Sequence, residues 1–362
     1  MKANLGDHLD FSNGSGSPVR TSDGDIPVYG ANGTIGYATQ PNARGPLIVI
    51  GRVGSYCGSL RYCDSDVWVT DNAFVCRAKN PRETRYWYYA LQTCGLNDHR
   101  AGSGQPLLNR AILRDVSVVS VAARERQAIA ELLGAVDDKI AANHRVIDAA
   151  ETLMVATAEP IAEYVPLATL ASRRTTALEP GEFADVVAHF SLPAFDGGAQ
   201  PQFVAAGSVK SAKFVLSGPC VLFAKLNPRI PRIWNVVQVP DEMALASTEF
   251  VVLRPDGIDT SALWSAVRQR DVSDTLRQHV AGTSGSHQRI QPGDLLDVRV
   301  RDVRRLSTAA AETITNLGAL CHARRAESAS LATWRDAVLP LLISGKVRVI
   351  DTLGQAISDC SF

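Results

Sequence analysis

No stretch of this sequence reaches the roughly 18 to 20 consecutive apolar residues that a membrane-spanning helix requires. The longest apolar runs, such as residues 116–123, are too short or interrupted. The opening residues, Met1-Lys-Ala-Asn-Leu-Gly-Asp-His8, lack the apolar segment of a signal peptide, so a cytoplasmic location without membrane attachment is expected. The seven cysteines, at 57, 63, 76, 94, 220, 321 and 360, are odd in number and form no Cys-x-x-Cys pair. Neither a zinc ribbon nor a disulfide framework is supported, and the thiols read as small buried residues in a reducing compartment. Net charge is also absent. The 37 Lys and Arg balance 37 Asp and Glu, which argues against binding nucleic acid or anionic membrane through bulk charge alone.

Catalytic motifs are equally scarce. Ser344-Gly-Lys346 lacks the upstream glycine and the following Ser or Thr of a phosphate-binding loop, and Gly14-Ser-Gly16 and Gly102-Ser-Gly104 lack the third glycine of a dinucleotide fingerprint. There is no His-Glu-x-x-His or Gly-x-Ser-x-Gly, and the seven histidines do not pair at metal-ligand spacings. Asn80-Pro81 and Asn227-Pro228 are each followed by Arg, not by the Pro-aromatic pair with which amino-methyltransferases hold a flipped adenine. The expectation is a chain without catalysis, metal or cofactor of its own.

What is present is a chain of 362 residues, 46% hydrophobic and 20% charged, with the composition of a folded protein of about two domains. It repeats itself. The apolar run Pro46-Leu-Ile-Val-Ile-Gly51 ends in Arg52, and Pro219-Cys-Val-Leu-Phe-Ala224 ends in Lys225, 173 residues on. Residues 72–77 answer to 248–254, with Phe74 matching Phe250 at an offset of 176. The aromatic-bearing segments 85–92 and 261–268 follow, then small-residue loops at 101–105 and 281–286, short strands at 116–121 and 298–301, and a long helical segment closing each half. Constant order with a slowly growing offset reads as a diverged duplication.

From Glu125 to about Glu159 there is no proline and one glycine, Gly134. Ile129, Leu133, Val136, Ile140, Asn143, Ile147, Ala150 and Met154 alternate at spacings of four and three, a coiled-coil seam with Asn143 as a register-setting polar residue. The second segment, about Ser307 to Leu342, offers Ile314, Leu317, Cys321, Leu331 and Val338 but puts Arg324, Ser328 and Arg335 on the same stripe, a weaker and partly polar seam. Two helices of about 35 residues, each about 50 Å long, are expected to pack antiparallel, with a globular region at either end of a dumbbell. The expected fold is α+β: two tandem α/β domains separated by two long helices packed as an antiparallel coiled coil, related by an approximate two-fold. The expected boundaries are 1–122, 123–159, 160–305, 306–345 and a tail at 346–362.

Three runs carry a family resemblance: Ile26-Pro-Val-Tyr-Gly-Ala-Asn-Gly-Thr-Ile-Gly36, Val49-Ile-Gly-Arg-Val-Gly54 and Gly102-Ser-Gly-Gln-Pro-Leu-Leu-Asn109. Together they resemble a target-recognition domain of the specificity subunit of type I restriction-modification systems. The segment 125–140, with Gln127, Ile129 and the Asp137-Asp138 pair before Ile140, is similar to that family's spacer helix, and residues 341–349 to the close of its second one. The departures are a missing proline-rich entry at 120–124, no Gln-x-x-Ile in the second helix, and no Tyr-Gly-x-Asn-Gly loop in the second half, where Phe195-Asp196-Gly197 stands roughly in its place.

The resemblance implies a non-catalytic subunit whose two domains each read one half of a bipartite, asymmetric double-stranded DNA sequence. It also implies spacer helices that dock two modification (methyltransferase) subunits. These carry S-adenosylmethionine and work, where the host has one, with a restriction/translocase subunit. Base readout needs paired donors and acceptors on loops that enter the major groove. The candidates are Tyr29, Asn32, Arg52, Ser55, Arg61 and Gln105 in the first half, and Lys225, Asn227, Arg229, Arg232, Ser286, His287 and Gln288 in the second. Arg52 and Lys225 lead, because duplication places a cation there twice. Seam and partner docking fall to Gln127, Ile129, Leu133, Val136, Ile140, Asn143, Ile147, Met154, Ile314, Leu317 and Leu331. The alternative reading is a coiled-coil scaffold that holds two protein- or ligand-binding domains apart.

Overall fold

The computed structural model describes residues 2–21, 23–101, 107–227, 230–280 and 289–349. Its contacts divide the chain into two compact units, Met1–Asp138 with Ala332–Phe362, and Lys139–Leu331. Helix and strand are mixed throughout, an α+β fold.

The first unit contains strands β1 (Lys2–Asn4), β2 (Leu9–Asn13), β3 (Ile26–Gly30), β4 (Gly33–Ala38), β5 (Leu47–Gly51), β6 (Leu60–Cys63), β7 (Trp68–Val69), β8 (Ala73–Ala78) and β9 (Ser117–Val119). Its short helices are α1 (Leu5–His8), α2 (Thr84–Gln92) and α3 (Arg110–Asp115), and α4 (Ala123–Ala158) begins in it. One sheet has the antiparallel order β2-β8-β5-β6; a second has the order β4-β3-β7 with β3 and β7 parallel. The unbroken apolar run at β5 follows from its place between two cores. Ile48 and Ile50 pack on the side of Trp87 and Tyr86, whereas Leu47 and Val49 pack with Val67 and Val69. A strand covered on both faces reads as a continuous hydrophobic stretch instead of alternating.

The second unit contains β10 (Tyr164–Pro166), β11 (Ala171–Arg174), β12 (Ala177–Leu178), β13 (Val186–Phe190), β14 (Gln202–Ala205), β15 (Lys213–Val215), β16 (Cys220–Ala224), β17 (Ile233–Val236), β18 (Met243–Ser247), β19 (Phe250–Pro255) and β20 (Arg299–Arg301). The helices are α5 (Leu192–Asp196), α6 (Thr260–Val267), α7 (Arg270–Val280), α8 (Pro292–Asp297) and the start of α9 (Thr308–Ile343). The order β11-β19-β16-β17 repeats β2-β8-β5-β6 strand for strand. The order β14-β13-β18 repeats β4-β3-β7, parallel pair included, and β15 and β12 extend it. β16 is again shared between two cores, with Val221 and Phe223 on one side and Cys220, Leu222 and Ala224 on the other. Even the closing pairs agree: β1 with β9, and β10 with β20.

In α4 every seam position named above is buried except Ile140, which is half-buried. Asn143, 2% exposed, donates to Glu327 Oε2 at 3.0 Å and Ser328 Oγ at 3.2 Å, so its polar group is satisfied inside the second unit. Along that unit Asn143 meets Ser328, and Ile147 lies against Cys321, so the two segments run in opposite directions. In the first unit Asp137 accepts from Arg335 at 2.6 Å. Along α9 Ile314, Gly318, Cys321, Ser328 and Leu339 are buried. Leu317, Arg324, Leu331, Arg335 and Val338 are half-buried, as are Arg325 and Ala332, and Leu317 and Val338 pack against the cores of their units. A stripe containing Gly, Ser, Cys and Arg carries little hydrophobic contrast.

Candidate nucleic-acid interface

In the first unit the β3–β4 turn, the β5–β6 loop, the β7–β8 turn and the stretch at Leu107-Leu108 meet at one end of the sheets. Ala31-Asn32 forms a two-residue hairpin turn between Gly30 and Gly33, whose φ of +91° suits glycine. Asn32 is exposed there. Tyr29, on β3, is half-buried, and burial together with the neighbouring Cys63 raises its phenol above the usual range. Ser55 is exposed in the β5–β6 loop, where its carbonyl accepts from Asn97 at 3.4 Å, and Arg61 is exposed on β6.

Arg52 ends β5. Its N–H donates to Asn72 O at 2.9 Å and its carbonyl accepts from Leu108 at 3.0 Å. Its guanidinium lies over the Phe74 ring at 5.4 Å and donates to Asp71 O at 3.5 Å, while Nε is buried without a hydrogen-bond partner among the described residues. Arg52 is therefore partly held by its own fold. Lys225 repeats its backbone setting: N–H to Glu249 O at 2.9 Å, carbonyl from Ile290 at 2.9 Å. Lys225 is half-buried, and burial lowers its ammonium below the usual lysine range although Glu249 pulls the other way. Glu249 is also paired with Arg289 at 3.1 Å. Asn227, half-buried, takes a left-handed φ of +55°.

Arg232 is held within its own unit. Its Nε and Nη2 grip Asp196 at 2.7 and 3.0 Å, a bidentate pair that raises the guanidinium above its ordinary value. Asp196 ends α5, which joins β13 to β14 where β3 and β4 are joined by the Asn32 turn. The position expected for the missing Tyr-Gly-x-Asn-Gly loop is thus filled by a short helix. Ser59 stands where Arg232 does, because the Gly51 N–H donates to Ser59 O as the Ala224 N–H donates to Arg232 O. Its Oγ donates to Ala31 O at 2.6 Å. Both units therefore tie the turn between their paired strands to the adjoining loop from the same place. Gln105, Arg229, Ser286, His287 and Gln288 lie outside the described residues.

Sequence reasoning missed two seats for the globular regions. In the first unit the α2 residue Arg85 donates to Asp138 at 2.6 and 3.1 Å and to Gly134 O at 3.0 Å, and Tyr89 donates to Asp137 at 2.5 Å. A side chain at Gly134 would stand 2.9 Å from the Arg85 guanidinium carbon. In the second unit the α6 residue Ser261, 176 positions after Arg85, packs directly on Gly318 of α9. The signal was available: both helices carry a lone interior glycine about eleven residues from their start. Gln127 faces outward and donates to Glu131 at 2.8 Å, on a shallow depression of α4 lined also by Ala135, Arg82 and Arg85.

Among the described residues no group of three His, Cys, Asp or Glu could hold a metal ion, and no helix is long and apolar enough to cross a membrane. Residues 4–152 match the type I restriction modification DNA specificity domain. A specificity subunit of the type I restriction enzyme EcoprrI from Escherichia coli is 25% identical over 111 residues, which span 31% of this chain and 28% of that relative. The crystal structure of a type I restriction-modification system S subunit from M. genitalium superposes with a TM-score of 0.63 at 14% identity, covering 95% of this chain and 96% of that one.

Proposed function

We propose that this chain, a member of the type I restriction-modification specificity family through the domain at residues 4–152, is a non-catalytic subunit that recognises a bipartite, asymmetric DNA sequence. It directs N6-adenine methyltransferase subunits, and any restriction subunit of its host, to that sequence. In this reading the regions 1–122 and 160–305 are tandem target-recognition domains descended from one duplicated unit. The segments 123–159 and 306–345 form an antiparallel spacer that sets the gap between half-sites and docks two methyltransferase copies. S-adenosylmethionine is brought by those partners. The observation that carries the reading is the strand-for-strand repetition of both sheets, with a cation, Arg52 or Lys225, held by the same backbone hydrogen bonds at the same corner. Two copies of one DNA-reading unit suit a two-part target better than they suit a scaffold.

Co-expression with the methyltransferase tests it. The expected product is a complex with about two methyltransferase chains per copy of this one, which binds duplex DNA with an affinity that falls steeply as salt rises. A chain that purifies without methyltransferase, or a complex indifferent to DNA, would support the scaffold instead.

A further inference from the structure

The loops that follow β5 and β16 share one frame. Residues 52–59 and 225–232 are equal in length. In each the third residue has a left-handed φ, +74° at Gly54 and +55° at Asn227. Its carbonyl accepts from the N–H three residues on, Cys57 at 3.1 Å and Ile230 at 3.0 Å. The first residue of each loop is fixed through both its backbone groups, and the last braces the neighbouring connection, Ser59 to Ala31 and Arg232 to Asp196. The two loops share no residue at any of the eight positions, and the pair at the tip of the turn, the pair the shared backbone bonds leave out, is Ser55-Tyr56 in one and, by sequence, Pro228-Arg229 in the other. The latter pair lies outside the described residues.

Tyr56 is 57% exposed, whereas Cys57 beside it is buried and donates its thiol to Arg52 O. A single exposed aromatic side chain means little by itself. Its position carries the argument. Two copies of one frame that read different half-sites must differ where side chains leave the frame, and Tyr56 leaves it outward at the end where Asn32, Ser55 and Arg61 are exposed. Resting on the DNA-recognition reading, we infer that Tyr56 is a specificity-determining residue for the first half-site. In the major groove it presents a ring for a thymine methyl group and a hydroxyl that can donate to or accept from a base edge. The turn at Gly54 and the Ser59 N–H, which donates to Tyr56 O at 3.0 Å, fix the backbone that carries the ring, so little main-chain ordering is needed on contact.

The test uses the complex with its methyltransferase subunits and duplexes carrying an intact first half-site, a first half-site with single base changes, or a changed second half-site. Y56A and Y56F are compared with the native chain. The inference expects Y56A to melt at the native temperature, to lose roughly fivefold to a hundredfold in discrimination at one base pair of the first half-site, and to keep its discrimination at the second. Y56F separates ring from hydroxyl, because it keeps discrimination that comes from the ring alone. Unchanged first-half discrimination in Y56A, or a lowered melting temperature with discrimination weakened equally in both halves, overturns the inference and leaves the DNA-recognition reading standing. A native complex that distinguishes neither half-site overturns both.

Discussion

Gly318 shows how one missing side chain places a domain. It sits on the buried stripe of α9 with Ser261 against it, and a methyl group there would lie inside the contact distance of Ser261 Oγ, itself 1% exposed and hydrogen-bonded by Asn235 at 3.0 Å. Gly318→Ala improves helix propensity by about 1 kcal/mol but forces apart a close-packed contact, which costs typically 1–3 kcal/mol. A net loss of stability is expected in denaturant unfolding; a gain would show that α6 does not rest on this glycine. Three histidines give the pH dependence. His8, stacked on Trp87 at 4.5 Å, His189 and His322 all have their pKa lowered, burial being the largest cause in each, with Arg126, Lys213 and Arg325 adding to it respectively. Each binds a proton more readily unfolded than folded, so the stability they contribute is present above the unfolded value of about 6.5 and is lost as pH falls through the lower folded values. Thermal melting should therefore fall between pH 7 and pH 5, and a flat profile would contradict the burial of these rings.

At the scale of elements, the seam of α4 was legible because its spacing of four and three is written in Ile, Leu, Val and Met. The matching stripe of α9 was legible only in part: Ile314, Cys321 and Ser328 fell on it, but Gly318 looks like a breaker in isolation and becomes interior only against Ser261. Arg325 is paired with Glu151, and Asn143 bridges to Ser328 and Glu327. Removing one partner of a buried hydrogen bond leaves the other unsatisfied, at about 1–3 kcal/mol. Asn143→Ala and Ser328→Ala should each destabilise the chain, and the double variant should lose less than the two combined, a coupling of roughly 0.5–3 kcal/mol readable in a double-mutant cycle. Additive losses would mean that the pair is not coupled. The candidate site was legible in part. Repeated sequence located the Arg52 and Lys225 corners, and the candidate Asn32 sits at a hairpin tip. The tie of Arg232 to Asp196 was invisible, because the two are 36 residues apart and meet only through the strand order of the second unit.

For the whole molecule, zero net charge has a definite meaning. Residues 1–120 carry +2, 121–159 carry −3, 160–305 carry +1 and 306–362 carry 0. On the proposed function, a chain with so little positive charge supplies selectivity, while its partners supply most of the phosphate attraction. Alone it is expected to bind duplex weakly, with a shallow salt dependence, and the complex tightly with a steep one. Replacing residues 1–120 with another recognition domain should change one half-site and leave the other and the gap intact, whereas deleting one heptad around Asn143 should alter the gap. The most direct test of the central claim is a map of N6-methyladenine across the host genome with and without this gene. The account predicts one split motif, two half-sites separated by a fixed nonspecific gap, that disappears when the gene is deleted. A methylation pattern that deletion leaves unchanged would contradict it.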